Sequence, residues 1–102
     1  MVLKEREKKI VVVQLNGGND ALNTVVPIND GLYYDNRPLV HIKQEESLKI
    51  NNDLAFNPSM KAIKHLWDQG KVAIINGVGY PTPNRSHFRS MDIWHTCEPD
   101  KL

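Results

Sequence analysis

The segment Ile10-Val11-Val12-Val13-Gln14-Leu15 runs directly into Asn16-Gly17-Gly18-Asn19-Asp20. A β-branched apolar run without polar alternation reads as a strand buried on both faces, the pattern of a parallel sheet covered by helices. Such a strand is expected over residues 9–15. Gly17 and Gly18 then permit a sharp turn, because glycine takes positive φ without steric cost. Asp20 follows that turn. Ligand sites of open α/β sheets lie beyond the carboxyl ends of the strands, so an acid delivered there is a candidate site residue.

Length and charge narrow the function classes. A chain of 102 residues makes one domain at most. Its 40% hydrophobic and 25% charged residues are ordinary for a soluble globular protein. A net charge of +1 implies neither a nucleic-acid partner nor an anionic membrane surface. No apolar run approaches the ~18 residues of a membrane span. Cys97 is the single cysteine, which excludes an internal disulfide framework and an all-cysteine metal cage.

Further along, residues 1–8 read as a charged lead-in. Residues 21–26 (Ala-Leu-Asn-Thr-Val-Val) suit either a short helix capped by Asn19 or Asp20, or a second extended piece ending at Pro27. Residues 27–57 carry turn signals at Pro27, Asn29-Asp30-Gly31 and Arg37-Pro38, with a helical turn expected at Tyr33-Tyr34. The apolar pieces 39–42 and 48–50 flank polar residues 43–47 and suggest a small β-hairpin. The whole of 27–57 therefore reads as an excursion from the core layer, either a pocket rim or a decorative flap.

A helix is expected next, with Asn57 as N-cap, Pro58 at its first position and Gly70 at C′. Met60, Ile63, Leu66 and Trp67 form its packing face. Residues 71–78 (Lys-Val-Ala-Ile-Ile-Asn-Gly-Val) follow as a second buried strand, returned parallel and right-handed. A last helix starts near Ser86 and ends by Glu98-Pro99. Two buried strands do not finish an α/β sheet, so the expectation is a fragment: residues 9–98 as the N-terminal part of one domain, with 99–102 a tail.

Two places could carry chemistry. One is Asp20, after the first strand. The other is Asn84-Arg85-Ser86-His87, after the second strand and at a helix start. A serine at a helix N-terminus sits among free backbone N–H groups and the positive end of the dipole, a setting that favours an anion. Its hydroxyl needs a base or a metal to become a nucleophile, and a divalent cation on Asp20 would help it ionise. Arg85 would hold two oxygens of the anion in a bidentate fork. The structural alternatives are equally concrete. Ser86 is a good N-cap, Asp20 a good turn or helix cap, and His87 is a base only if its ring reaches the hydroxyl. His41, His65 and His95 show no metal-ligand spacing. Cys97 reads as a small apolar residue. Gly17-Gly18 matches neither the dinucleotide nor the phosphate-loop motif.

The blocks Gly17-Gly18-Asn19-Asp20, Ala21-Leu22-Asn23-Thr24-Val25-Val26-Pro27 and Tyr34…Arg37-Pro38 resemble the start of a large bacterial family catalogued as domain of unknown function 1501. Asn57-Pro58, Gly70, residues 72–79 and Asn84-Arg85-Ser86-His87-Phe88 are similar to its next blocks, in the same order. The resemblance covers residues 9–98. The family is grouped with the alkaline phosphatase and sulfatase superfamily. Membership implies a doubly wound, mostly parallel α/β sheet, here present as a fragment with a small hairpin excursion. It implies Asp20 as a metal ligand and Ser86 as the nucleophile, with Arg85 and His87 beside it.

The expected function is therefore the N-terminal part of a metal-dependent phosphate- or sulfate-ester hydrolase. Its cofactor would be one or more divalent ions (Zn, Ca, Mg or Mn) and its substrate a small anionic ester. The alternative is a non-catalytic member of the fold that binds a carbohydrate or a surface. Self-association through an exposed sheet edge is a further expectation. The residues leave localisation open; the resemblance implies export.

Overall fold

A computed structural model describes residues 7–100. Of the expected lead-in, residues 1–6 lie outside the described residues, and so do residues 101–102 of the expected tail. The described residues form a small mixed α/β fold in two compact units, residues 20–83 and residues up to 19 together with those from 84 onward.

The unit of residues 20–83 begins with α1 (Ala21–Thr24), a single helical turn, and passes at once into β1 (Val25–Val26). Both sequence alternatives for residues 21–26 are thus present in series. The switch occurs where β-branched Val25 and Val26, poor in helices, replace Ala and Leu. The helical turn expected at Tyr33-Tyr34 is α2 (Gly31–Asn36). Asp30 starts it by accepting the Leu32 N–H on its side chain at 2.9 Å.

The only ladder among the described residues is antiparallel. β3 (Ala55–Phe56) lies between β1 and β2 (Leu48–Lys49), so the order is β1-β3-β2. Val25 pairs with Phe56 and Val26 with Ala55, while Leu48 pairs with Phe56 and Lys49 with Ala55 across the other edge. The expected hairpin over 39–50 is corrected by one step along the chain. Residues 43–47 do turn, but β2 pairs forward with β3. The connecting bend is held by Asn51, whose side-chain oxygen accepts the N–H groups of Asp53 and Leu54, both at 2.8 Å. Residues 39–42 make no strand because their backbone is committed elsewhere. The Val40 and His41 N–H groups donate to the Arg37 carbonyl, and the Ile42 N–H donates to the Tyr33 hydroxyl at 2.7 Å.

The expected excursion, 27–57, is instead the core of this unit. Val26, Ile28, Tyr33 and Ala55 are buried together, with Tyr34 and Ile42 packed against them. Phe56 is buried too and meets Trp67 of α3 (Lys61–Asp68) edge to face, with ring centroids 6.0 Å apart. The helix starts later than Asn57. Asn57 accepts the Ser59 N–H on its side chain and the Met60 N–H on its carbonyl, which closes a turn ahead of α3. Its far end is as expected. Gly70, at φ +69°, lets the Lys71 N–H reach the Leu66 carbonyl at 3.0 Å while its own N–H reaches Trp67 at 2.8 Å. That is the double bond of a Schellman ending.

The two runs expected as buried parallel strands require correction. Residues 9–15 and 71–78 are neither helix nor laddered strand among the described residues. Ile10 and Val11 are 88% and 85% exposed, and Ile75 is 80% exposed. Apolar patterning records a preference for burial, but a strand exists only where a neighbour accepts and donates its ladder bonds. The described residues supply none, so an alkaline phosphatase-like parallel sheet is not what they form.

In the other unit, α4 (His87–Thr96) starts at Ser86 and ends before Glu98-Pro99, as expected. Cys97 is exposed at φ +57°, ending the helix in the left-handed conformation instead of packing as an apolar residue.

Asn23 joins the pieces of the 20–83 unit. Its side chain accepts from the Tyr33 hydroxyl at 2.7 Å and donates to the Val40 carbonyl at 2.7 Å, while its own carbonyl accepts from the Asn57 side chain at 2.7 Å. Asn23→Ala is expected to destabilise the protein by about 1–3 kcal/mol, since it leaves the Tyr33 O–H without its acceptor although the Ile42 N–H still donates to that oxygen; urea denaturation measures this. Cys97→Gly is expected to raise stability by about 1 kcal/mol by removing the Cβ clash of the left-handed cap, read as a higher denaturant midpoint.

Candidate functional site

Asp20 ends the Gly-Gly turn as the N-cap of α1, with the non-helical φ −76° and ψ 88° that such a position requires. Its main-chain oxygen accepts from the Asn23 N–H at 3.1 Å and the Thr24 hydroxyl at 2.8 Å. Its carboxylate is committed to a cation: Asp20 Oδ2 accepts from Arg37 Nη1 at 2.8 Å. The Asp20 side chain is 47% exposed and that of Arg37 24%. The Arg37 guanidinium holds the Asp20 carboxyl below the ordinary carboxylate range, and Asp20 in turn raises the Arg37 guanidinium.

Arg37 was visible in the sequence only as part of Arg37-Pro38, with no role attached. Its place is set by local structure. It is the C-cap of α2, where a cation is favoured by the helix dipole, and its carbonyl also accepts from His41 Nδ1 at 2.8 Å. Because a carbonyl can only accept, His41 Nδ1 is the donor of that bond. His41 stands edge-on to Tyr34 at 5.2 Å between centroids, and burial pushes the Tyr34 hydroxyl pKa up.

Arg85, Ser86 and His87 belong to the other unit. Asn84 builds the start of α4 from both sides. Its side chain accepts the Ser86 N–H at 2.8 Å, and its carbonyl accepts the Ser90 hydroxyl at 2.9 Å. Ser86 accepts the Arg89 N–H at 3.5 Å, the limit of a hydrogen bond, and is exposed. The capping expectation is therefore met, but weakly, and the hydroxyl proton has no acceptor among the described residues. Arg85 is exposed and makes no ion pair there. His87 is not hydrogen-bonded to Ser86. Its ring lies instead against the glycine turn, with Cε1 3.6 Å from where a Gly18 Cβ would stand. Gly18, at φ +93°, is thus a conformational requirement of the turn that faces this histidine.

His87, Met91 and His95 recur every fourth residue and therefore share one face of α4. With Phe88, Asp92 and the Asn16-Gly17 turn they line an open cleft of about 550 Å³. Taken one at a time, the histidines show no such face. Their four-residue spacing was the signal available.

A hard divalent cation suits Asp20 in kind, as an accessible carboxylate that already holds a cationic group. It supplies one ligand. Among the described residues no three His, Cys, Asp or Glu side chains converge on a common point. No helix among the described residues is long and apolar enough to cross a membrane.

No protein-family model, curated protein or solved structure matches the chain.

Because the folded carboxyl of Asp20 is depressed, the contribution of its ion pair is complete above the ordinary carboxylate pKa and is lost as pH falls through the depressed value. Carbon-13 titration of the Asp20 carboxyl is expected to return to the ordinary range in Arg37→Gln. A midpoint unchanged by that substitution would show that the guanidinium is not its cause.

Proposed function

We propose that the chain is the N-terminal part of a metal-dependent phosphate- or sulfate-ester hydrolase of the alkaline phosphatase and sulfatase type. The observation that carries this reading is Ser86. It presents an exposed hydroxyl at the N-cap of a ten-residue helix, with only a 3.5 Å contact as its capping bond. A serine serving the helix alone would be expected to cap at shorter distance; here the oxygen is left largely free beside the positive end of the helix dipole.

In this reading Ser86 attacks the phosphorus or sulfur of the ester, the ester oxygen leaves with a proton, and water later releases the anion from the serine. The free N–H groups of the first turn of α4 stabilise the charge that develops on the non-bridging oxygens. Arg85, unpaired and adjacent, holds the anion in place. His87 would need to leave the glycine turn to serve as base or acid. Asp20, in the other unit, would be one ligand of a divalent ion, which when bound would supply charge neutralisation.

The resemblance of the Gly-Gly-Asn-Asp and Asn-Arg-Ser-His-Phe blocks to the domain of unknown function 1501 family supports the same assignment. Pairing of an edge of the three-stranded sheet, β1 or β2, with a second copy of the chain is the route by which the protein would self-associate.

The test uses the full-length protein, with aryl phosphate and aryl sulfate esters and metal analysis. Ser86→Ala is expected to lower kcat by at least ~10³-fold, as loss of a nucleophile does. Its cost in stability would be only about 0.5–1 kcal/mol because the cap is long. Full activity in Ser86→Ala, or a protein that binds a carbohydrate and turns over neither ester, would instead favour the non-catalytic binding module.

A further inference from the structure

Asparagine precedes glycine twice in the chain, at Asn16-Gly17 and Asn76-Gly77, each time just after an apolar run. Both asparagines are exposed. Most other asparagine side chains are held in place. Asn23, Asn36 and Asn57 donate to main-chain carbonyls, Asn29 donates to Asp53, and Asn51 and Asn84 accept main-chain N–H groups. The side chains of Asn16 and Asn76 make no hydrogen bond among the described residues, and the Gly17 and Gly77 N–H groups make none either. Gly17 and Gly77 lie at φ +88° and +69°, and a Cβ on either would meet nothing within 4 Å. Asn52 is the internal comparison. It too is exposed and makes no side-chain bond among the described residues, but the next main-chain nitrogen, that of Asp53, is tied to Asn51 Oδ1 at 2.8 Å.

We propose that Asn16 and Asn76 are modification sites, the two asparagines at which this protein deamidates spontaneously. The main-chain nitrogen of the following glycine attacks the side-chain amide carbon of the asparagine. A C–N bond forms, the bond to the side-chain nitrogen breaks, and ammonia leaves with the proton that the glycine nitrogen gives up. The ring so made is a five-membered succinimide, which water opens at either carbonyl to give aspartate or isoaspartate. Water is consumed, ammonia is released and no atom changes oxidation state. Closing the ring needs a rotation of the main chain, which a residue without Cβ hinders least. A glycine N–H that holds no acceptor gives up no hydrogen bond in that rotation. At position 16 the product carboxylate stands at the cleft lined by His87, Asp92 and His95, so the event changes the charge of that cleft.

The experiment incubates the purified protein at neutral and mildly alkaline pH, then maps it by proteolysis and mass spectrometry, which reads each asparagine separately. Conversion at Asn16 and Asn76 is expected to be at least about tenfold faster than at Asn52, a difference of ~1.4 kcal/mol in barrier. It should quicken as pH rises, because the attacking nitrogen must shed its proton. The same incubation in urea separates sequence from structure. Unfolding frees the tethered asparagines, whereas Asn16 and Asn76 are expected to react within about threefold of their native rates, since nothing in the fold restrains them. Asn16→Gln and Asn76→Gln, which would have to close a six-membered ring, are each expected to silence their own site and leave the other unchanged. Conversion at Asn52 as fast as at Asn16 and Asn76, or native protection of either site beyond that threefold, overturns the proposal.

Discussion

The side chain of Asn23 is the constraint on which the 20–83 unit depends. An amide offers one acceptor and a pair of donors in a plane, and Asn23 uses both kinds at 2.7 Å, toward Tyr33 and Val40. Its carbonyl takes the Asn57 amide at the same distance. A single residue thereby ties α1 to the end of α2, to the 39–42 segment and to the turn before α3. Tyr33 extends the tie, since its hydroxyl also accepts the Ile42 N–H. The Tyr33 hydroxyl is part-buried, and with both partners it holds the arrangement in one register.

The same stretch carries both the fold and the candidate chemistry. Asp20 starts the turn whose third residue is Asn23, and its carboxylate reaches the residue that ends α2. Displacing Arg37 from Asp20 would leave the Asn23 bonds intact, because they use different atoms. The ion pair and the Asn23 links are therefore independent of one another.

Local chemistry was the legible part of the sequence. Asp30 before α2, Gly70 after α3 and Ser86 before α4 each announce an element boundary through one side chain or one permitted φ, and each is found there. The strands were not legible. β1, β2 and β3 are two residues long, too short for any period to register, and the β1–β3 pairing joins positions some 30 residues apart along the chain. The strongest apolar runs pointed to residues 9–15 and 71–78, where burial preference exists but no ladder partner does. Turn-rich residues 27–57 looked peripheral because punctuation was visible and the aromatic contacts of Tyr33 and Tyr34 were not. For the candidate site residues, the helix-start positions of Asp20 and Ser86 were legible. The ion pair to Arg37 spans 17 residues and has no sequence signature.

The buried apolar side chains among the described residues of the 20–83 unit are few: Val26, Ile28, Tyr33, Ala55 and Phe56. The heat-capacity change of unfolding and the denaturant slope both scale with the surface that folding hides. A unit that hides little apolar surface, and is held instead by directional polar links, has a flat stability curve. It melts over a wide temperature interval and has little tendency to unfold in the cold. Calorimetric sharpness would be a poor guide to whether this unit is folded; protection of the Ile42 and Asn57 amide protons, which lie within the network, reports it more directly.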